Sequence, residues 1–415
     1  MSGYVPRLAD KALRELFEDV PAVSIVGPRG CGKTTTASRL VPNVVHVDQR
    51  AVAQAFQEDA DAALRAVGEP VVLDEWQAAP DILGAVKRAV DAGGGAGRFL
   101  LTGSVGARLT TQEWPGTGRV VELRMAPITA REMHGNAAHD SLTDRLFSPD
   151  AGALLTVGVT RATGLAIDDY LDIALAGGFP EGAAVPARSR GRWFASYLDQ
   201  VVNRDSQLAA AGIDTARFGR YLAALGLHSA TVTTDQRLAE MAAVSAATAA
   251  GYERLLDRLH LLATVPAWAS SRVKRLARTP KRLLADSALA AALMGEDRAG
   301  LMLAPDLRGR VVETWAVAQL MAELPVDQSR TKLFHLRDSN GRHEVDLLLE
   351  RPGGRVVGVE VKASSSVTKT DVKHLMWLRD ELGDSFVRGV VLHAGPIARE
   401  LGDRILAVPL SVCWE

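Results

Sequence analysis

The stretch "AVSIVGPRGCGKTTT", Ala22–Thr36, runs from a short apolar segment through a glycine-rich loop into a helix-like segment. Its centre, "GPRGCGKT", fits G-x-x-x-x-G-K-[ST], which predicts a phosphate-binding loop when a strand precedes it and a helix follows. The glycines let successive backbone N–H groups turn inward around phosphate oxygens, Lys33 reaches the β and γ phosphates, and Thr34 offers a hydroxyl to Mg²⁺. The residues expected to contact the nucleotide are Gly27, Pro28, Arg29, Gly30, Cys31, Gly32, Lys33, Thr34 and Thr35.

The segments around this loop alternate short apolar runs with stretches of helical length. β-Branched runs that alternate with helices are typical of a parallel sheet with both faces covered. We therefore predict an α/β domain over residues 1–150. Its strands are expected in "AVSIVG" (22–27), "VVHVD" (44–48), "PVVLDE" (70–75), "RFLLTGS" (98–104) and "RVVELRM" (119–125).

An acidic pair, Asp74 and Glu75, closes the third apolar run. Asp74 can complete the Mg²⁺ shell together with Thr34, and Glu75 can polarise the attacking water. The alternative is that the pair only caps a following helix. Because the pair occurs together with the phosphate loop, the sequence favours an ATP hydrolase over a nucleotide-binding switch.

Three polar residues farther along the domain have two interpretations each. Thr102 and Ser104 in "LLTGS" either orient the attacking water or make local hydrogen bonds at the strand end. Arg119 in "GTGRVVEL" is either an arginine finger or an ordinary salt-bridge residue. We retain Ser104 and Arg119, with Glu75, as candidate catalytic residues.

Length and composition limit the class of protein. A chain of 415 residues exceeds what one hydrophobic core supports, and we expect three domains. The sequence is 47% apolar and 23% charged, and it has neither an apolar run of membrane-spanning length nor the features of a signal peptide. Two cysteines do not form a disulfide framework. We expect a cytoplasmic protein without membrane contact, whose net charge of −1 allows only a local basic patch for nucleic acid.

Residues 166–304 change to helical periods, followed by the strand-like segments "LLATVPAWA" and "PKRLLAD". Three helices and a β-hairpin are the order of a winged helix-turn-helix, and Ser245 is the expected N-cap of the third helix. The basic run "SSRVKRLARTPKRL", Ser270–Leu283, falls where the wing is expected. Such a run either contacts duplex DNA phosphates or is a solvated face, and winged helices also dock proteins.

Residues 305–415 return to an α/β pattern with the unusual stretch "HEVDLLLERPGGRVVGVEVKAS", His343–Ser364. Two strand-like segments here carry Asp346, Glu360 and Lys362 where apolar residues are expected. The two-residue period of a strand puts Glu360 and Lys362 on one face. Charges on a buried face must be paired, hydrogen-bonded or bound to a metal, so the stretch is either a metal site or a solvated edge.

Taken together, the chain resembles prokaryotic AAA-type ATPases that carry a C-terminal domain of unknown function. The resemblance spans nearly the whole chain and implies a five-stranded nucleotide-binding core, ATP as the ligand, and a C-terminal module similar to PD-(D/E)xK nucleases. The segments that carry it are "YVPRLADKALRELF", "GPRGCGKTTTA", "LDEWQ", "LLTGS", the "GR" of "GTGRVVEL", "GGFPE" and "RTPKRLLADSALAAAL".

The nuclease pattern consists of an acidic helix residue, an Asp ending a strand, and Glu-x-Lys on the next strand. Glu313, Asp346, Glu360 and Lys362 fit these positions, so we expect Asp346 and Glu360 to bind Mg²⁺ or Mn²⁺ and Lys362 to orient or deprotonate water. The alternative is a simple ion pair between Glu360 and Lys362 on a solvated strand, with Asp346 exposed.

Three interpretations of function follow. The first is an ATPase coupled to a DNA-contacting winged helix and a metal-dependent nuclease-like domain, used in DNA processing or defence and assembling as a homo-oligomer. The second is a non-catalytic, ATP-dependent regulator or protein-interaction switch with an inactive nuclease fold. The third is a self-contained ATPase switch that acts on a peptide or protein.

Overall fold

The computed structural model of the chain describes residues 3–103, 117–156, 164–206, 212–269, 278–338 and 342–414. Ser104 and most of the predicted wing, residues 270–277, lie outside these ranges. Among the helices within these ranges, none combines the length and apolar composition needed to cross a lipid bilayer.

The N-terminal part is built on a parallel sheet, as the alternating pattern predicts. Its five strands are β1 (Ala22–Val26), β2 (Val44–His46), β3 (Val71–Asp74), β4 (Phe99–Gly103) and β5 (Val120–Arg124). They lie in the order β2-β3-β4-β1-β5, with every neighbouring pair parallel. The carboxyl ends of β1, β3 and β4 therefore meet at one edge, where the candidate phosphate and metal residues are found.

Helices cover both faces of this sheet. They are α1 (Ala9–Asp19), α2 (Lys33–Leu40), α3 (Arg50–Glu58), α4 (Ala60–Val67) and α5 (Ile82–Asp91). Successive residues of β1 face opposite cores: Ala22 packs with Phe56 and Phe99, whereas Val23 packs with Leu13 and Leu100. Because both faces are buried, the strands read as continuous apolar runs rather than as alternating ones.

Helical segments connect the sheet to the rest of the chain. They are α6 (Ala130–Met133), α7 (Leu142–Phe147), α8 (Gly152–Leu155), α9 (Ile167–Ala176), α10 (Pro180–Ala184) and α11 (Ala187–Gln200). Helix α11 continues directly into a short π-helix over Val201–Asp205.

A three-helix unit with a strand pair follows. Its elements are α12 (Thr215–Leu227), α13 (Asp235–Met241), α14 (Ala246–Arg258), β6 (Leu262–Val265) and β7 (Lys281–Leu284), and the two strands are antiparallel. The Ser245 side chain accepts a hydrogen bond from the backbone N–H of Thr248, which confirms the predicted N-cap. Thr234 caps α13 in the same way through the N–H of Arg237.

The C-terminal part is a mixed six-stranded sheet reached through three helices, α15 (Ser287–Met294), α16 (Arg298–Leu303) and α17 (Pro305–Glu323). The strands are β8 (Lys332–Arg337), β9 (Glu344–Arg351), β10 (Arg355–Lys362), β11 (Phe386–His393), β12 (Arg399–Gly402) and β13 (Ile405–Pro409), with α18 (Lys373–Leu382) between β10 and β11. Their order is β12-β13-β11-β10-β9-β8.

One hydrophobic core contains residues from each of the three predicted domains, whereas the nucleotide-binding sheet itself packs in two other cores. Ala130, Leu171, Leu283, Leu347 and Trp414 belong to the shared core, and α17 runs through it with buried residues on all sides. Helix α7, within the predicted first domain, and helix α8, just after it, also pack there. The division into 1–150, 166–304 and 305–415 stays a prediction, but these units share an interior.

Candidate functional site

The loop between β1 and α2 has the geometry that its glycines require. Gly30 and Gly32 have φ of 78° and 100°, a left-handed region that residues with a Cβ rarely adopt. A Cβ on Gly27 would lie 2.2 Å from the carbonyl oxygen of Met125, just after β5. The loop therefore passes too close to the neighbouring strand for any side chain at position 27.

Lys33 lies inside this loop. Its side chain is buried, and Nζ donates hydrogen bonds to the carbonyl oxygens of Gly27 at 3.0 Å and Pro28 at 2.9 Å. These bonds hold the ammonium under the loop, where phosphate oxygens would meet it. Lys33 thus lies where the sequence predicts it.

Asp74 is the centre of the adjacent polar cluster and is 7% exposed. Its Oδ1 accepts hydrogen bonds from Thr34 Oγ1 at 2.7 Å and from Thr102 Oγ1 at 2.5 Å, while Oδ2 lies 3.0 Å from His46 Nδ1. Parallel strands supply His46, Asp74 and Thr102, because Asp74 is the strand partner of both others, and helix α2 supplies Thr34. Thr102 therefore bonds to the predicted metal ligand. We did not predict that His46 would contact Asp74. The feature of the sequence that could have indicated this contact is the position of His46 at the end of a strand.

Glu75 begins the turn after β3. Its backbone is left-handed, with φ of 50°, and its Oε2 accepts a hydrogen bond from Gln77 Nε2. A Cβ on Gly103, at the end of β4, would lie 2.6 Å from Gln77 Oε1. Close packing thus holds Gln77, and through it the Glu75 carboxylate, beside the end of β4.

Arg119 does not join this cluster. It precedes β5 at the amino end of the sheet, whereas the loop lies beyond the carboxyl end of β1. Its Nε pairs with Asp91 Oδ1 at 2.9 Å, and its side chain is 41% exposed. Within one chain Arg119 acts as a salt-bridge residue, because about five residues of strand, roughly 16 Å, separate it from the loop end of the sheet.

Arg7 is a further residue of this site that the sequence analysis did not single out. Its guanidinium donates to the carbonyl oxygens of Cys31 at 2.7 Å and Ala126 at 2.6 Å, and Nε pairs with Glu132 at 3.0 Å. Arg7 therefore ties the phosphate loop to the segment after β5. The relevant signal was its place in "YVPR", ahead of the loop.

Two of the cavities that border the loop lie at the start of α2 and against α11. One, of about 150 Å³, lies beside the start of α2 and is lined by residues that include Tyr4, Arg7, Thr35 and Thr36. The other, of about 270 Å³, lies against Arg29 and Gly30 and is closed by α11. There Tyr197 donates a hydrogen bond to the carbonyl oxygen of Arg29 at 3.0 Å, so the helical region touches the loop directly.

A second polar cluster forms in the C-terminal part. The fold brings together all four predicted residues: Glu313 on α17, Asp346 on β9, and Glu360 and Lys362 on β10. Asp346 Oδ2 accepts a hydrogen bond from the N–H of Val361 at 2.9 Å, and Lys362 Nζ lies 3.0 Å from Glu360 Oε2. The solvated-strand alternative is not what the structure has, because Glu360 is buried at 4% exposure.

A fifth charged residue, Lys281 of β7, enters this cluster. Its Nζ lies 2.5 Å from Glu313 Oε1 and 3.7 Å from Asp346 Oδ1 and donates to the Asp346 carbonyl oxygen at 3.2 Å. Sequence reasoning placed Lys281 in a basic wing. The signal against that placement was the strand period, which puts Lys281 on the same face as the apolar Leu283.

Burial shapes the electrostatics here. Burial, reinforced by the negative charge of Asp346, raises the pKa of Glu313 to about 7. Burial and Asp346 likewise raise the pKa of Glu360 well above its ordinary value. For Lys281, burial opposes the charged form, but the carboxylates of Glu313 and Asp346 outweigh it and raise the pKa.

The two clusters differ in how they suit a metal ion. Thr34 and Asp74 offer a hydroxyl and a carboxylate beside the phosphate loop, which is the donor set Mg²⁺ uses with a nucleotide. In the C-terminal cluster, Lys281 stands against Asp346, one of the two carboxylates expected to bind the metal, and against Glu313. Across the part of the chain that is described, no three His, Cys, Asp or Glu side chains are arranged to hold a metal.

Comparison with known proteins supports the nucleotide site. The family profile described as "AAA domain" matches residues 19–134, which span the loop, Asp74 and Arg119. Residues 167–300 and 308–413 match two profiles, each described as a domain of unknown function (DUF8612 and DUF4143). The chain is also similar to uncharacterized proteins of Mycobacterium bovis and Mycobacterium tuberculosis, each 27% identical over 416 residues that cover 97% of this chain and 83% of the relative. The N-terminal part is therefore similar to P-loop AAA-type ATPase domains.

Proposed function

We propose that this chain hydrolyses ATP at the carboxyl edge of the parallel sheet. The observation that carries the proposal is the hydrogen bond of 2.7 Å between Thr34 Oγ1 and Asp74 Oδ1 beside the phosphate loop. It brings the two expected Mg²⁺ ligands, from α2 and β3, into contact next to the buried Lys33 ammonium. Phosphate, metal and water contacts are thus supplied within one small region.

In this mechanism the backbone N–H groups of the loop bind the β and γ phosphates. Lys33 exchanges its bonds to the Gly27 and Pro28 carbonyl oxygens for phosphate oxygens. Thr34 and Asp74 would hold Mg²⁺. A bound Mg²⁺ ion would neutralise the negative charge that develops on the phosphates.

Glu75 is the general base. It orients a water molecule and takes its proton while the water oxygen bonds to the γ phosphorus and the bond to the ADP oxygen breaks, giving ADP and phosphate. Gln77 holds the Glu75 carboxylate. Ser104, outside the described residues, stays a candidate for the same water.

We assign the adenine to the cavity of about 150 Å³ at the start of α2. Thr35 and Thr36 follow the loop directly and line this cavity together with Tyr4. A base there would continue from the phosphates without crossing the sheet.

The test compares Lys33→Ala, Glu75→Gln and a control, Glu18→Gln, which makes the same chemical change at an exposed position of α1. Lys33→Ala should abolish tight ATP binding, measured with a fluorescent analogue. Glu75→Gln should bind ATP but release no phosphate, and Glu18→Gln should match the wild-type protein. Wild-type hydrolysis by Glu75→Gln would overturn the role of Glu75.

A second candidate function is contact with duplex DNA through α12–α14 and the β6–β7 pair. The observation that favours it is the succession of three helices and an antiparallel strand pair, the element order of a winged helix-turn-helix. Arg254 and Arg258 are exposed on the third helix. The predicted phosphate contacts Arg272, Lys274 and Arg275 lie outside the described residues, and Arg278 donates to the Arg337 carbonyl oxygen at 2.9 Å.

Salt dependence tests this candidate. Each phosphate contact steepens the slope of log affinity against log salt by about 0.9. Replacing Arg272, Lys274, Arg275 and Arg278 by Gln should therefore flatten the slope for a DNA duplex. An unchanged slope would move the DNA surface elsewhere or remove it.

For the C-terminal part we propose a nuclease-like fold that acts, as it stands, as an interaction module rather than as a metal-dependent nuclease. The convergence of Glu313, Asp346, Glu360 and Lys362 supports the likeness. The ammonium of Lys281 beside Glu313 supports the proposal that this domain does not act as a metal-dependent nuclease. The test is plasmid cleavage by the wild-type protein with Mg²⁺ or Mn²⁺. Cleavage that is lost in Lys362→Ala would show instead that the domain is a metal-dependent nuclease.

A further inference from the structure

The C-terminal cluster brings five ionisable side chains close together. Three are carboxylates, from Glu313, Asp346 and Glu360, and two are ammonium groups, from Lys281 and Lys362. The Lys281 side chain is only 2% exposed. A lysine is placed so deeply only where carboxylates compensate the loss of its hydration.

The oxygens around Lys281 are of the kind that bind divalent cations. Its Nζ faces a carboxylate oxygen of Glu313 at 2.5 Å, the backbone carbonyl oxygen of Asp346 at 3.2 Å and a carboxylate oxygen of Asp346 at 3.7 Å. Carboxylate and backbone carbonyl oxygens are ligands of Mg²⁺ and Ca²⁺. The ammonium therefore stands where a metal ion would sit.

The cluster also has an unused oxygen. Glu360 Oε1 is buried and, among the described residues, meets no hydrogen-bond donor, whereas its Oε2 pairs with Lys362. A buried carboxylate oxygen without a donor is costly. It indicates that the two ammonium groups, Lys281 and Lys362, leave one carboxylate oxygen of the cluster without a donor.

Lys281 is held in place from outside the cluster. The next residue, Arg282, pairs with Glu253 of α14 at 2.9 Å and also with Asp235 of α13. On the other side, His335 of β8 bonds to the carbonyl oxygen of Thr279 at 3.1 Å. Strand β7 is thus fixed both to the three-helix unit and to the C-terminal sheet, and Lys281 cannot withdraw unless that docking changes.

We propose that Lys281 is the resident cation of the Glu313–Asp346–Glu360 cluster and excludes a divalent metal ion for as long as β7 is docked. Removing the ammonium, or undocking β7, leaves the oxygens that face Lys281 Nζ, two from the Glu313 and Asp346 carboxylates and one from the Asp346 backbone, free to bind Mg²⁺ or Mn²⁺. These donors include only two side chains, which agrees with the absence of a three-side-chain metal site among the described residues. The three-helix unit thereby controls the cation state of the C-terminal sheet. This inference does not depend on ATP hydrolysis.

The test is a Mn²⁺ titration of the full-length, nucleotide-free protein, followed by the electron paramagnetic resonance signal of free Mn²⁺. Lys281→Met should have one Mn²⁺ site more than the wild-type protein. The affinity of Lys281→Met for Mn²⁺ at this site should be at least tenfold higher than that of the wild-type protein. The gained site should disappear in Lys281→Met/Asp346→Asn. Any Mn²⁺ bound at the phosphate loop is the same in all variants, so it does not contribute to the difference between them.

Two control variants test whether the positive charge at position 281 is what excludes the metal ion. Lys281→Arg keeps a cation in place and should gain no site, and Lys332→Met makes the same change at an exposed lysine of β8 and should behave as wild type. Mn²⁺ should raise the melting temperature of Lys281→Met and leave that of Lys281→Met/Asp346→Asn unchanged.

Two results would overturn the proposal. One is a folded Lys281→Met protein that gains no site. The other needs no Lys281 variant: if the wild-type protein binds Mn²⁺ at a site that Asp346→Asn removes, Lys281 does not exclude the metal. If Lys281→Met fails to fold, this comparison of wild type with Asp346→Asn decides alone, and no Asp346-dependent site in the wild type is the expected result.

Discussion

Arg131 of α6 and Glu323 of α17 form an ion pair of 2.7 Å in which both side chains are nearly fully buried. Glu323 also accepts hydrogen bonds from the backbone N–H groups of Leu142 and Thr143 at the start of α7. A single carboxylate thus fixes the helices that follow the nucleotide-binding sheet. The pair joins that sheet to the C-terminal part of the chain.

The first prediction concerns this pair. Arg131→Met should lower the free energy of unfolding by about 3–5 kcal/mol, because it leaves the Glu323 carboxylate buried without its cation. Urea denaturation measures the change. Arg88→Met, which breaks the exposed pair with Asp61, should cost at most about 1 kcal/mol. Equal losses in the two variants would contradict a structural role for the buried pair.

The second prediction concerns the hydrogen bond from Gln77 to Glu75. A hydrogen bond to a charged group contributes roughly 1.5–3 kcal/mol, so Gln77→Ala should lower kcat for ATP hydrolysis roughly 10- to 100-fold. KM should change little, since Gln77 contacts the base and not the phosphates. Gln57→Ala, on the exposed side of α3, is the matched control. A rise in KM with unchanged kcat would show that Gln77 acts in binding instead.

The third prediction concerns Arg119. Its place before the edge strand β5, away from the loop of its own chain, leaves action across a subunit boundary as its only route to ATP. Mixing Arg119→Ala with Lys33→Ala protein should then restore phosphate release at mixed interfaces. Co-assembly of the two variants must be verified by pull-down. Co-assembly without rescue would leave Arg119 as the partner of Asp91 alone.

The fourth prediction is a pH dependence of stability. Burial lowers the pKa of His335 to about 4 from the ordinary value of about 6.5. The unfolded chain therefore binds a proton at His335 between pH 6.5 and pH 4 that the folded chain does not, and stability must fall as the pH is lowered through this range. The loss attributable to His335 is about 3 kcal/mol at pH 4.

The measurement compares unfolding of the wild-type protein and His335→Gln from pH 7 to pH 4. The wild type should lose stability relative to the variant as the pH falls, and the opposing contribution of Glu313, whose raised pKa favours the folded state at low pH, cancels in the difference. His139→Gln, at an exposed histidine, controls for the substitution. A pH-independent difference for His335→Gln would refute the assignment.

Local sequence was sufficient to predict the phosphate loop and the acidic residue that ends β3. Parallel pairing of β3 and β4 also places Thr102 beside Asp74, a contact that we did not predict. Arg7 and Lys281 were missed for a physical reason: their partners Glu132 and Asp346 are far away in sequence, and no periodicity records such pairings. His46 was missed because a single polar residue ending a strand has no pattern of its own.

The distance along the chain between Arg131 and Glu323 has a consequence for synthesis on the ribosome. Glu323 is made 192 residues after Arg131, roughly 10–40 s later at ordinary rates of translation. During that interval the nucleotide-binding sheet can fold, but α6 has no counter-charge and cannot close against its neighbour. A nascent chain halted before α17 should therefore hold Arg131 without the carboxylate that it pairs with in the finished fold.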